Sequence, residues 1–169
     1  RFARPGMRID LGGIAKGHAV DNASALLARR GIRHAIVSAG GDSRVIGDRR
    51  GQPWTVAIRH PRRADEVVAV LPLVDTSIST SGDYERFFER DWVRCHHLID
   101  PRSGLSPSGV RSVTILADDG LSSEALSKCV FVLGVHEGLR LIEAQAGVDA
   151  VVVDAAGGLH FSSGLSSGG

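Results

Sequence analysis

Cysteine is nearly absent: Cys95 and Cys129 are the only two in 169 residues. Two are too few for a disulfide scaffold or a zinc site. Cys129 lies in an apolar helical run and is expected to be a small core residue. A surplus of either charge is also missing, since 20 Lys and Arg face 19 Asp and Glu for a formal net charge of +1. That balance points neither to nucleic acid nor to an anionic membrane surface. No apolar run approaches the length of a membrane span, and there is no internal repeat. No signal peptide opens the chain, but Arg1-Phe2-Ala3-Arg4 reads as the interior of a longer protein. The missing signal therefore does not fix a compartment. What is present is ordinary for a globular domain: 43% hydrophobic and 23% charged residues, in a chain long enough for one domain with a core. Glycine is plentiful at 21 residues, which implies many turns or close backbone approaches.

Periodicity gives the elements. Apolar residues at Ala15, Ala19, Val20, Ala23, Leu26 and Leu27 lie on one face of a helix that runs from Ala15 to Arg30 and stops at Gly31. Met7 to Ile9 reads as a short extended segment ahead of it. Strands are predicted at Ala35–Ser38, Arg44–Ile46, Trp54–Ile58, Val67–Leu73, Thr76–Thr80, Asp91–Ile99 and Val110–Ala117. Asp48-Arg49-Arg50-Gly51 reads as a hairpin loop, and Pro72 puts its strand at an edge or an end. A helix from Ser122 to Leu133, with Ser122 or Ser123 as cap, stops at Gly134, and a second runs from His136 to Ala146. Ala150–Val153 and Leu159–Phe161 form a closing hairpin. The pattern is that of a single α+β domain, a mixed sheet with packed helices.

Three glycine turns carry polar groups where a strand gives way: Asp10 to Gly17, Gly40-Gly41-Asp42 and Ser81-Gly82-Asp83. In the first, a glycine pair precedes a helix start, where free amides favour phosphate. Lys16 puts a cation in the first turn, against the helix dipole. A ligand phosphate would explain it; so would an ordinary tight turn with a solvated lysine. The stretch is neither a Walker loop nor a dinucleotide fingerprint. Three such turns together fit a large phosphorylated ligand better than a small metabolite. His97 ends a strand beside the Asp100-Pro101 turn and is either a proton shuttle or phosphate contact, or a satisfied surface histidine. His96 alternates to the opposite face, and His60 before Pro61 reads as structural or a ligand-edge contact. Glu124 and Lys128, four apart on a helix, form either a plain ion pair or, at Glu124, an oxygen ligand for a hard cation.

In order and spacing these stretches resemble the ApbE family of flavin transferases. The resembling segments are Asp10-Leu11-Gly12-Gly13-Ile14-Ala15-Lys16-Gly17 with Val20-Asp21, Ala39-Gly40-Gly41-Asp42, His60-Pro61 and Ser79-Thr80-Ser81-Gly82-Asp83-Tyr84. His97-Leu98-Ile99-Asp100-Pro101-Arg102-Ser103-Gly104 and Glu124-Ala125-Leu126-Ser127 leading to Phe131-Val132-Leu133-Gly134 complete the set. The resemblance covers Met7 to about Phe161, only the second half of a typical member. It implies a T-fold-like domain over residues 1–161, followed by a Ser/Gly tail, 162–169, expected to be disordered. It also implies an enzyme that takes FAD and Mg²⁺, moves FMN onto a Thr or Ser of an acceptor flavoprotein, and releases AMP. Some relatives instead hydrolyse FAD to FMN and AMP. Lys16, Asp21, Gly40, Gly41, Asp42, Ser81 and Gly82 would contact FAD, and His97 would be the catalytic histidine. The Gly13 carbonyl and the side chain at 124 would belong to the metal site. Members are often exported and lipid-anchored, through a segment that precedes this half of the protein.

Two departures stand out. The metal-binding helix of the family usually carries Asp, with Thr four residues later; here those residues are Glu124 and Lys128. A protonated lysine binds no metal, but its ammonium can replace a cation electrostatically. The second departure is the first half, which in relatives helps to enclose the flavin. The leading expectation is an FMN transferase; the alternatives are a non-catalytic FAD-binding module and an FAD pyrophosphatase.

Overall fold

Side chains alternate across a strand, and in the central strands that alternation sorts two unlike layers. The structure, a computed structural model, describes residues 3–63 and 65–166. Its elements in chain order are α1 (Ala15–Arg29), β1 (Ala35–Ala39), β2 (Asp42–Ile46), β3 (Trp54–Arg59), β4 (Val67–Leu73), β5 (Ser77–Gly82), β6 (Phe87–Arg90) and β7 (Val93–His96). They continue with β8 (Val110–Ala117), α2 (Gly120–Glu143), β9 (Asp149–Asp154), β10 (Leu159–Phe161) and α3 (Ser163–Ser166). Six strands form one sheet in the order β1-β2-β5-β8-β9-β10, and every pairing in it is antiparallel rather than mixed. Val113 and Ile115 of β8, with Ala150 and Val152 of β9, meet Val130, Phe131 and Ile142 of α2 in the main core. Burying one such large side chain contributes about 1.5–3 kcal/mol. On the opposite face Val45, Ile78 and Leu116 pack with Leu73 under the β3–β4 hairpin.

The helices end as their sequences dictate. α1 closes on Gly31, at φ 82°, with Ile32 N–H bonding the Leu27 carbonyl and Gly31 N–H that of Ala28. Gly134, also at φ 82°, breaks α2 into the two helical pieces that the sequence predicts. The cap of α2 is Asp119, not Ser122 or Ser123: its carboxylate accepts the Ser122 amide at 2.7 Å.

Other expectations are corrected. Cys129 is exposed, on the outer side of α2, because Ser123, Ser127, Val130 and Phe131 take the inward positions. Met7–Ile9 lies outside the strands and is exposed. Asp91–Ile99 is not one strand. β7 pairs with β6, a strand that the sequence pattern does not reveal, across a turn in which Asp91 and Trp92 both have positive φ, 51° and 63°. Such turns usually announce themselves by Asn-Gly or Asp-Gly, and this one does not. Within the tail, Ser163–Ser166 is helical. Ser162 is buried between the Ala150 amide and Asp149, and Ser163 bonds Glu143 through both its amide and its hydroxyl. Residues 167–169 lie outside the described residues.

Candidate functional site

Two helices cross at a pair of glycines, and that crossing builds the site. Gly17 lies in the first turn of α1 and Gly120 opens α2. A Cβ on Gly17 would stand 2.0 Å from the Gly120 carbonyl oxygen, and one on Gly120 would stand 2.6 Å from that of Gly17. Backbone alone fits there. The Gly17 amide is thereby brought to 2.7 Å from Glu124 Oε2. No side chain at Ile14 caps α1, so the glutamate of one helix serves a first-turn amide of the other.

Glu124 is 0% exposed. A carboxylate so buried needs counter-charge, and two lysines supply it. Lys128 Nζ lies 3.3 Å from Oε1 and donates to the Glu124 backbone carbonyl at 3.1 Å. Lys16 Nζ lies 3.9 Å from the same Oε1. Lys16 also donates to the Gly40 carbonyl at 3.1 Å and pairs with Asp42 Oδ2. Asp42 is itself buried, and its Oδ1 accepts the Ser79 hydroxyl. The Gly40-Gly41 turn, with φ of 54° and 96°, brings β2 back so that Asp42 enters the sheet opposite Ser79. Two buried carboxylates and two partly exposed lysine side chains thus share one cluster. Ser81 joins it through Ser127, whose hydroxyl lies 2.8 Å from that of Ser81 and 2.8 Å from the Glu124 carbonyl.

Lys16, Gly40, Asp42, Ser81 and Glu124 therefore lie in one hydrogen-bonded cluster. Gly13 joins them by packing: its Cβ position would lie 3.5 Å from Cδ of Lys128. Gly41 lies in the adjoining turn, where its carbonyl accepts the Thr80 amide at 3.2 Å. Gly82 is explained by a neighbour, since a Cβ there would stand 2.3 Å from the Tyr84 ring. Asp83 is turned away, held by both Arg62 guanidinium nitrogens at 2.7 and 2.5 Å. His60 accepts the Arg62 and Arg63 amides through Nδ1, a structural role. Asp21 is committed elsewhere too: its two oxygens accept the Gly120 and Leu121 amides at 2.7 and 3.0 Å. It is a second cap for α2, and it lines a cavity of about 450 Å³ with Ser24, Arg44, Asp118 and Asp119.

His97 follows β7, with its amide and Nδ1 both directed at the Arg86 carbonyl, at 3.2 and 3.4 Å. Desolvation of its ring lowers its pKa below the ordinary 6.5; the hydrogen bond to the Arg86 carbonyl opposes this in part, and the charges of His96, Arg86 and Lys128 add to the lowering. His96 faces inward, edge-on to Phe131, with Nε2 on the Pro107 carbonyl at 3.0 Å.

The residues present do not fit a divalent cation. Mg²⁺ takes about six oxygen ligands in near-octahedral geometry. Both oxygens of Glu124 are engaged, by the Gly17 amide and by Lys128. No group of three His, Cys, Asp or Glu among the described residues could hold a metal ion.

Sequence reasoning missed Ser79, Ser127 and the amide of Gly17. The signal for the serines was present: Ser77, Ser79 and Ser81 occupy alternate positions of a fully flanked strand, where apolar residues are expected, and all three are buried. Nothing in the local sequence announces the Gly17 amide, whose partner lies on another helix.

Residues 1–152 match the ApbE family. The chain is 43% identical over 152 residues to the FAD:protein FMN transferase of Rhodobacter capsulatus, covering 90% of this chain and 29% of that protein. It is 38% identical over 164 residues to the FAD:protein FMN transferase of Treponema pallidum, covering 90% of this chain and 45% of that protein. The crystal structure of the ApbE protein from Thermotoga maritima superposes with a TM-score of 0.88 at 37% identity, over 96% of this chain and 53% of that one. The flavin transferase ApbE from Vibrio cholerae gives 0.81 at 32% identity, over 96% and 53%. The chain thus spans about half the length, or less, of the relatives it resembles.

Proposed function

The chain belongs to the ApbE family, and from that premise we propose that it carries the phosphate-binding and catalytic part of an FAD:protein FMN transferase. The observation that carries the reading is the cluster at the Gly17/Gly120 crossing, where Lys16 and Lys128 are held by buried carboxylates. Each lysine has an accessible side chain, 44% and 25% exposed. An ammonium offers three donors, and those not spent on Gly40, Asp42 and Glu124 face the FAD diphosphate. Gly40, Gly41 and Ser81 bound the same place. Asp21 and Gly82 act indirectly, the first by holding α2 and the second by admitting Tyr84.

The acceptor is a flavoprotein with a Thr or Ser hydroxyl; nucleic acid is not a partner. The hydroxyl oxygen attacks the phosphorus of the FMN half. A new P–O bond forms, the bridging P–O bond breaks, and AMP leaves with the bridging oxygen. His97 takes the hydroxyl proton. Its lowered pKa keeps it in the base form near neutral pH. The two lysines stabilise charge that builds on the phosphate oxygens in the transition state. Mg²⁺ has no part in this reaction scheme, because the donor set does not fit it. Water in place of the hydroxyl gives the pyrophosphatase reaction.

A second reading, FAD binding without transfer, draws on the same Lys128–Glu124 pair, which closes the cation position. One assay separates them: the protein, FAD and a threonine-bearing acceptor flavoprotein, analysed for covalent flavin and AMP. Both products support transfer, AMP alone supports hydrolysis, and retained FAD with neither supports the binding module. Absence of FAD binding would remove the flavin assignment.

A further inference from the structure

Lys128 is wedged between the two groups that the family resemblance assigns to a metal. Its stem lies against Gly13, with Cδ 3.5 Å and Cε 3.9 Å from where a Cβ would stand. Its Nζ lies 3.3 Å from Glu124 Oε1. Resting on the FAD reading above, we propose that the Lys128 ammonium takes the place of the divalent cation, so that this chain holds a diphosphate without a metal.

Charge and donor chemistry both lead there. Glu124 and Asp42 bring two buried negative charges, and Lys128 and Lys16 bring two positive ones. The cluster is neutral as it stands, and a dication would have to enter beside two ammonium groups that it repels. Entry would also strip Glu124 of donors that a wholly buried carboxylate requires. Lys128 spends one N–H on the Glu124 carbonyl and one on Oε1. Its third is free for a phosphate oxygen. Lys16 is placed likewise, by Gly40 and Asp42. The two ammonium groups share Glu124 Oε1 as a common neighbour, at 3.3 and 3.9 Å. They can therefore bridge one diphosphate from the same side, the service a metal performs by chelation.

The test has two readouts. Mn²⁺ binding is measured by electron paramagnetic resonance on the protein without FAD, for the wild type and for Lys128→Thr. The wild type is expected to bind none where Lys128→Thr binds one ion. A wild type that binds Mn²⁺, with the ion lost in Glu124→Gln, overturns the proposal without needing a Lys128 variant to fold. A folded Lys128→Thr that binds no Mn²⁺ overturns it as well. FAD affinity is then measured by flavin fluorescence in EDTA and in excess Mg²⁺. The wild type is expected to give the same affinity in both. Lys128→Thr should lose about tenfold or more in EDTA, as removal of one charge-assisted hydrogen bond implies, and recover in Mg²⁺. Tightening of the wild type by Mg²⁺ to that degree overturns the proposal. No FAD binding in either medium, with the Mn²⁺ results as expected, removes the FAD reading and leaves the exchange of lysine for metal standing.

Discussion

In the proposed transfer, His97 is the residue on which the chemistry turns. Desolvation and its positive neighbours lower its pKa, so that its base form persists below pH 6.5. The rate of transfer should therefore be level near neutral pH and fall only as pH drops through a value below 6.5. A pH–rate profile at saturating FAD reads this directly, and an acid limb centred above 6.5 would contradict it. Replacing His97 with Ala should cost about 10²–10⁴ in rate, the range of general base catalysis, with FAD affinity largely kept; unchanged turnover would take the residue out of the mechanism. The sequence shows this histidine because Asp100-Pro101 fixes the turn beside it. It shows Lys16, Asp42 and Glu124 for a similar reason, each sitting at a glycine turn or at the start of a helix. Asp21 was not legible in the same way. Its partners, Gly120 and Leu121, lie about a hundred residues further on, and no local pattern distinguishes a carboxylate that caps a distant helix from one that waits for a ligand.

Among the elements, α1 and α2 matter most, because their crossing places Glu124 and both lysines. Gly17→Ala would drive a methyl group into the Gly120 carbonyl. Overpacking of this kind costs about 1–3 kcal/mol, and it should lower the melting temperature and FAD affinity together. Asp21→Ala removes a cap and should cost about 1 kcal/mol of stability, while the variant that remains folded binds FAD almost as well as the wild type; a large loss of affinity at unchanged stability would restore Asp21 as a ligand contact. The β9–β10 hairpin offers a pH test. Asp154 is held at a pKa of about 2, below the ordinary 3.8, by the His160 side chain and by the Gly158, Ala156 and Gly157 amides. Its folded-state pKa is depressed, so its stabilisation is present above 3.8 and is lost as pH falls to about 2. The difference in melting temperature between the wild type and Asp154→Asn should shrink across that interval; a difference that grew would contradict the sign. Most of these elements were legible. Short apolar runs marked β4, β8 and the β9–β10 hairpin, and glycine marked the ends of α1 and the break in α2. The β6 strand was not, because Phe87 to Arg90 is exposed along its whole length and carries no alternation to read.

At the scale of the molecule, one antiparallel sheet separates two tasks. Helices α1 and α2 cover one face and carry the charged cluster, while the β3–β4 hairpin closes the other. The serines of β5 point to the helical face and line the cluster from below, through Ser79 to Asp42 and Ser81 to Ser127. This division explains why a strand with three buried hydroxyls persists at the centre of a core: its polar edge faces the site and its apolar edge, Ile78, faces the hairpin. Sheet order was beyond the sequence, since hairpin turns fix neighbours such as β1 and β2 but nothing local places β5 between β2 and β8. The chain spans about half the length, or less, of the relatives it matches. The proposed reaction transfers FMN from FAD to a protein hydroxyl, with His97 as base. Its most direct test is to incubate the protein with FAD and a threonine-bearing acceptor flavoprotein, and to quantify covalent flavin and AMP. The two products should appear in equal amounts, with both lost in His97→Ala. AMP without covalent flavin, or covalent flavin undiminished in His97→Ala, would contradict it.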